Sequence, residues 1–191
     1  MGGALARAAR KRLSGGEILL ANRSAAKAEA LAQELDCRAV DNAAVAAEAD
    51  YIFLGVKPYM VAGLMEKIGP VLAARKDRFV LASMAAGLEA RRIQEMAGGA
   101  YPVICLMPNT PVAVGAGVVQ YYGVDTTEEE LPHFQTLLSA AGLIDRTDPE
   151  RLNATSAVTG CGTAFCAGRI EALADRRVGC GPPRAKHPAP A

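Results

Sequence analysis

The sequence predicts an α/β fold, a mostly parallel sheet with helices on both faces. Three observations predict it. Strand-like runs alternate with helix-period stretches along the chain, the pattern of strand–helix–strand units. The runs are apolar nearly throughout, as in YIFLGV from Tyr51 to Val56, which suits a parallel strand buried on both faces. Apolar residues make up 51% and charged residues 21%, the balance of a globular domain that can bury a core. At 191 residues the chain fits one ordinary domain and a short extension.

Taken in order, residues 1–14 are rich in Ala and Arg and predict a helix that Gly15-Gly16 ends. Glu17 to Ala21 predicts a strand. Ser24 is a good N-cap for a helix from Ala25 to Leu35, with Ala28, Leu31 and Leu35 on one face. After the YIFLGV strand, Pro58 opens a helix, a position where its missing N–H costs nothing. Phe79 to Ser83 predicts a strand, Leu88 to Met96 a helix and Tyr101 to Leu106 a strand that runs into the Pro-rich turn MPNTP. Val118 to Tyr122 is β-like. Thr126 to Glu130 starts a helix, with acids in its first turn where the helix dipole favours them. Leu143 to Asp145 predicts a last short strand. From Asp148 the chain reads as helical, broken at TGCGT, and from Arg176 it is rich in Pro, Gly and basic residues, a frayed tail.

Composition excludes several classes of function. A net charge of +1 gives no strong field toward nucleic acid or acidic membranes, and without Trp there is little to stack bases. The five cysteines form no CxxC pair and there are two histidines, His133 and His187, so no metal site is expected. Free thiols point to a reducing cytoplasm. No apolar run reaches the ~20 residues that span a bilayer, and Arg7, Arg10, Lys11 and Arg12 interrupt any signal-like N-terminal run.

The candidate site residues lie at predicted strand ends, where ligands bind in open α/β sheets. A nucleotide-binding sheet normally starts with a strand and a glycine turn, yet here the first element is a helix. Gly2 reads as the third glycine of a G-x-G-x-x-G turn, the one that permits close helix–strand packing; an ordinary Ala-rich helix start is the alternative. Asn22-Arg23-Ser24 follows a strand, and Arg23 offers a planar cation suited to a ribose 2′-phosphate, or is an exposed arginine beside a helix start. Lys57 follows the YIFLGV strand. Ser83 to Gly87 ends the next one with small residues that let a flat ring approach, or simply make a tight turn. In Met107 to Pro111 two prolines fix a rigid turn around Asn109 and Thr110. Gly160, Cys161 and Gly162 read as a Gly-rich helix start whose N–H groups suit a carboxylate, or as a hinge. With no His nearby, Cys161 is not read as a nucleophile.

Together NRSAAKAEAL, GVKP, SMAAG, MPNTPVAVGAG and TGCGTAF…IEALAD resemble, in order and spacing, the pyrroline-5-carboxylate reductases, from Met1 to Arg184. The resemblance implies a Rossmann-like NAD(P)-binding domain over 1–147 that lacks its first strand, the beginning of an all-helical dimerisation domain over 148–178, and a disordered tail over 179–191. It implies reduction of 1-pyrroline-5-carboxylate to L-proline with NADPH, or with NADH, in a homodimer or higher homo-oligomer without nucleic acid or membrane. By matched position the cofactor would meet Gly2, Asn22, Arg23, Ser24, Asn42, Val56, Lys57, Pro58, Met84, Ala86, Gly87, Pro108 and Asn109. The substrate carboxylate would meet Gly160, Cys161, Gly162 and Thr163. A protonated imine is already electrophilic, so no residue is assigned as catalytic acid or base. The resemblance departs at Cys105, where the family usually has Arg, at Thr163, where it has Pro, and at Arg169 in an otherwise apolar helix. With the first strand and much of the helical domain outside the chain, the chain as given is expected to have impaired activity. The alternatives are an inactive nucleotide-fold fragment and another NADP-dependent imine or β-hydroxyacid reductase.

Overall fold

Strand β4, Val80–Ser83, is buried at all four positions in the computed structural model, which describes residues 1–178. Its neighbours are β3, Tyr51–Leu54, and β5, Val103–Pro108, both parallel to it. Alternate side chains enter opposite cores, as the two-residue period of a strand requires. Ile52, Leu54, Leu81, Val103 and Cys105 enter one core; Val80, Ala82, Ile104 and Leu106 enter the other.

The first core is closed by α3, Asn42–Glu48, α4, Val61–Ala74, and α5, Ala90–Ala97. On α4 the buried residues Val61, Met65, Ile68 and Leu72 form the i, i+4, i+7, i+11 stripe of an amphipathic helix. The second core is closed by α1, Gly2–Arg10, through Leu5 and Ala8, and by α6, Glu130–Leu138, through Leu131, Phe134 and Leu138. Phe134 is fully buried, with ring centroids of Tyr121, Phe53 and Tyr51 at 5.1, 6.1 and 6.3 Å. The α/β expectation with helices on both faces is met.

The sheet is not wholly parallel, however. Its order is β3-β4-β5-β6-β7, with β6, Gly117–Val124, antiparallel to β5, and β7, Gly142–Arg146, parallel to β6. The reason is loop length. Residues 109–116 hold only a 3₁₀ turn at Thr110–Val114, too short for the crossover of a dozen or more residues that a parallel return needs. A separate parallel pair joins β1, Leu19–Leu20, to β2, Arg38–Ala39.

Several boundaries differ from the sequence reading. The first helix stops at Arg10, and Gly15–Glu17 is a 3₁₀ turn, which shortens the expected strand over 17–21 to β1. Helix α2, Ala25–Leu35, begins and ends as expected, but the Ser24 side chain makes no capping hydrogen bond; instead its N–H donates to Asn22 Oδ1 at 3.0 Å. Pro58 opens a 3₁₀ turn, Pro58–Met60, that leads into α4. The helix expected from Thr126 starts at Glu130, where Thr127 and Glu130 bond each other's backbone N–H groups in a capping box. Strand β2 and α3 were not foreseen. TGCGT does not break the helix: α7, Pro149–Ser156, continues through a π turn, Ala157–Cys161, into α8, Gly162–Val178. The stretch 179–191, expected as a disordered tail, lies outside the described residues.

Because three aromatic rings close around Phe134, Phe134→Ala leaves a cavity that no neighbour fills. We expect it to lower unfolding stability by about 3–5 kcal/mol, read as a shifted urea midpoint with an unchanged slope.

Candidate functional site

The carboxyl ends of the parallel strands bring the sequence-predicted residues to one edge of each sheet. From β3 the chain passes to Gly55, Val56, Lys57 and Pro58; from β4 to Met84, Ala86 and Gly87; and β5 carries Pro108 at its end, followed by Asn109. β1 leads to Asn22, Arg23 and Ser24, and β2 to Asn42, the first residue of α3. There Asp41 caps the helix, its Oδ1 accepting from the Ala44 N–H at 2.7 Å.

Gly55 meets two of its neighbours. A Cβ placed on Gly55 would lie 4.0 Å from Gly2 Cα and 3.3 Å from the end of the Met84 side chain. The start of α1 thus lies at ordinary contact distance from the carboxyl end of β3, and a Cβ on Gly2 itself would meet nothing within 4 Å. Arg23 and Lys57 are exposed, and neither forms an ion pair among the described residues. The arginines around them are otherwise engaged: Arg7 is bidentate on Glu34 at 2.7 and 2.6 Å, and Arg10 donates to the Leu35 carbonyl at 2.6 Å.

Beside the β4 end lies a cavity of about 290 Å³. Ser83, Ala86, Gly87, Cys105, Tyr122 and Asn153 are among its walls. Ser83 is buried and its Oγ accepts from the Ala85 N–H at 3.2 Å, which sharpens the turn out of β4. Cys105 Sγ lies 3.8 Å from the Leu88 carbonyl. Burial pushes the Cys105 thiol up, with the Tyr122 hydroxyl partly offsetting it, and burial pushes the Tyr122 hydroxyl up as well. Tyr122 was not singled out from sequence, since it looks like one more apolar position in a strand.

Asn109 is 7% exposed and fully engaged. Its Oδ1 accepts from the Val118 N–H at 2.8 Å and its Nδ2 donates to the Thr159 carbonyl at 3.1 Å. The rigid MPNTP turn is thus joined to the π turn. Gln120, 4% exposed on β6, was missed. An amide between the apolar Val119 and Tyr121 was the available signal, because a buried polar group must find partners. Gly160, Cys161 and Gly162 do not form a helix N-terminus. They lie in and just after the π turn, with Cys161 exposed, so the carboxylate nest read from the glycines is not built as a helix start. Thr163 donates from Oγ1 to the Gly160 carbonyl at 3.2 Å.

Among the described residues no group of three or more His, Cys, Asp or Glu is placed to hold a metal. No helix among them is long and apolar enough to cross a membrane.

The parallel strands, their crossover helices and the glycine-bounded edge define a Rossmann-like α/β protein. A family model described as NADP oxidoreductase, coenzyme F420-dependent, matches residues 1–87. The chain is 34% identical over 146 residues to the pyrroline-5-carboxylate reductase of Corynebacterium melassecola, covering 76% of this chain and 54% of that protein. It is 38% identical over 141 residues to that of Glycine max, covering 73% and 50%. The solved pyrroline-5-carboxylate reductase of Coxiella burnetii superposes with a TM-score of 0.84 at 22% identity, over 96% of this chain and 68% of that one. The pyrroline carboxylate reductase of Plasmodium falciparum, solved with NADP bound, superposes with a TM-score of 0.83 at 24% identity, over 97% and 68%. The chain is similar in sequence and fold to pyrroline-5-carboxylate reductases, and it spans about half the length of the curated relatives it matches.

The thiols differ in access. Cys161 and Cys166 are exposed, Cys37 is half-buried and Cys105 is buried with its thiol held protonated. Alkylation at mildly alkaline pH, followed by peptide mass spectrometry, should modify Cys161 and Cys166 first and Cys105 last.

Proposed function

We propose that this protein reduces the cyclic imine 1-pyrroline-5-carboxylate to L-proline, the last step of proline biosynthesis, with NADPH as the preferred hydride donor. The observation that carries the proposal is the convergence of Gly2, Gly55 and Met84 at the β3 and β4 ends, in a chain whose relatives bear this activity in their names. The geometry fits a dinucleotide. The Gly2–Gly55 approach leaves room that a side chain would fill, and Arg23 is a free guanidinium at the end of β1. When bound, the nicotinamide supplies the hydride that the imine carbon accepts.

The chain's own residues bind and orient. Arg23, with Asn22 and Ser24, faces the ribose phosphate, and Asn42 flanks the adenosine. Val56, Lys57 and Pro58 line the cofactor cleft. Met84, Ala86, Gly87, Pro108 and Asn109 surround the nicotinamide. Gly160, Cys161, Gly162 and Thr163 meet the substrate carboxylate. The protonated imine nitrogen needs no side-chain acid to become electrophilic, so alignment is the protein's main contribution. Residues 148–178 belong to a helical domain that pairs two copies, and the exposed Phe165, Ile170 and Leu173 of α8 supply its apolar face. The setting is cytoplasmic.

The test is NADPH oxidation with pyrroline-5-carboxylate, on this chain and on one extended at both ends to its relatives' length. Imine-dependent oxidation in the extended protein supports the reading; its absence there rejects it. In the same protein, Arg23→Ala should raise KM for NADPH about 10- to 100-fold, the loss of one charged hydrogen-bonded contact. KM for NADH should stay within about twofold; equal losses for both cofactors would remove Arg23 from the phosphate site. Cys161→Ser should keep substantial turnover, because the Cys161 thiol is exposed and no base adjoins it.

A further inference from the structure

Two buried amides, one just after β5 and one on β6, converge on one residue of the π turn. Asn109, at the end of β5, donates from Nδ2 to the Thr159 carbonyl at 3.1 Å while its Oδ1 holds the Val118 N–H at 2.8 Å. Gln120, on β6, accepts at Oε1 from the Thr159 hydroxyl at 3.4 Å, and its Nε2 faces Asp145 Oδ2 of β7 at 3.5 Å. The same hydroxyl also donates to the Thr155 carbonyl at 3.3 Å, so its single proton is shared between the helix and Gln120. Both amides are more than nine-tenths buried. A π turn adds a residue to the helical ladder and so shifts the carbonyls that follow, which lets a side chain outside the helix claim one of them.

The helix beyond this point buries little of its surface. Of the α8 residues from 163 to 176 only Ala174 is not exposed. Thr159 is therefore where the sheet sets the rotation and height of residues 160–162 over the strand ends. We propose that Gln120 is a positioning residue. Acting through Thr159, it holds the Gly160–Gly162 turn where the carboxylate of the imine substrate docks, while Asn109 ties the same turn to the nicotinamide side of the cleft. This rests on the reductase reading above. Gln120 touches neither ligand, so its loss acts on substrate affinity and leaves the cofactor end alone.

The experiment uses the extended protein with Gln120→Met, Thr159→Val, both together, and Thr159→Ser, which keeps the hydroxyl. Three quantities are read: KM for pyrroline-5-carboxylate, Kd for NADPH, and amide hydrogen exchange at 160–162. Each single variant should raise the imine KM about tenfold, the loss of one buried hydrogen bond. The NADPH Kd should stay within about twofold, and the double variant should be no worse than either single one. Thr159→Ser should restore the imine KM, and exchange at 160–162 should quicken in Gln120→Met and Thr159→Val alike. An unchanged imine KM, additive losses, or an equal loss of NADPH binding would overturn the assignment. If the parent protein binds NADPH but does not turn over the imine, the reductase reading fails by itself. Exchange then decides the clamp: quickening in both variants supports it, and none overturns it.

Discussion

Every other feature depends on three parallel strands having no solvent face. Leu81 and Ala82 are neighbours in sequence, yet each is fully buried in a different core. A strand covered on both sides can place chemistry only where it ends. That is why the polar and glycine-rich segments of this chain follow its strands, and why helices lie at the flanks while loops line the edge. The arrangement also explains how ordinary residues make a site. Gly55 and Met84 have little chemistry alone; the parallel register sets them side by side.

The legible part of the sequence was the part governed by continuous apolar runs. YIFLGV and FVLAS contain the strands Tyr51–Leu54 and Val80–Ser83, which expose no residue, and the motifs after them were placed correctly as strand ends. Helix α2 was readable to the residue because a regular Ala/Leu pattern runs through it, although Ser24 does not cap it with its side chain. What escaped was set by tertiary geometry. Arg38 and Ala39 are exposed, so no burial pattern marks β2; they are a strand because β1 offers them a partner. The reversal of β6 depends on the length of the loop before it, not on its own VVQYY. TGCGT looks like a break because glycine disfavours helix, yet the chain stays helical there by widening to a π turn, whose Thr159 meets the buried amides of Asn109 and Gln120.

Asn109 shows how the rigidity of MPNTP is used. Pro108 and Pro111 restrict the backbone on either side, which leaves the amide few orientations to lose when it is buried. One end of that amide then closes the β5–β6 hairpin and the other reaches the helical segment. A residue that seemed to face only a ligand is also a joint between two parts of the chain. Gln120 repeats the arrangement one strand over. The sheet thereby meets the helix through polar contacts, the Asn109 bond the shorter of them, at a place where the apolar contacts are sparse.

The π turn also acts as a local spacer. An i→i+5 turn spends one more residue on nearly the same arc as an α turn, so removing one residue between 157 and 161 and restoring an ordinary α-helix would leave the downstream phase almost unchanged. Phe165, Ile170 and Leu173 would keep close to their present direction. The sheet would register the change instead, because the residue facing the buried amides of Asn109 and Gln120 would no longer be Thr159. The extra residue is thus absorbed within one turn, and its imprint falls on the polar contacts beneath it, not on the helix beyond.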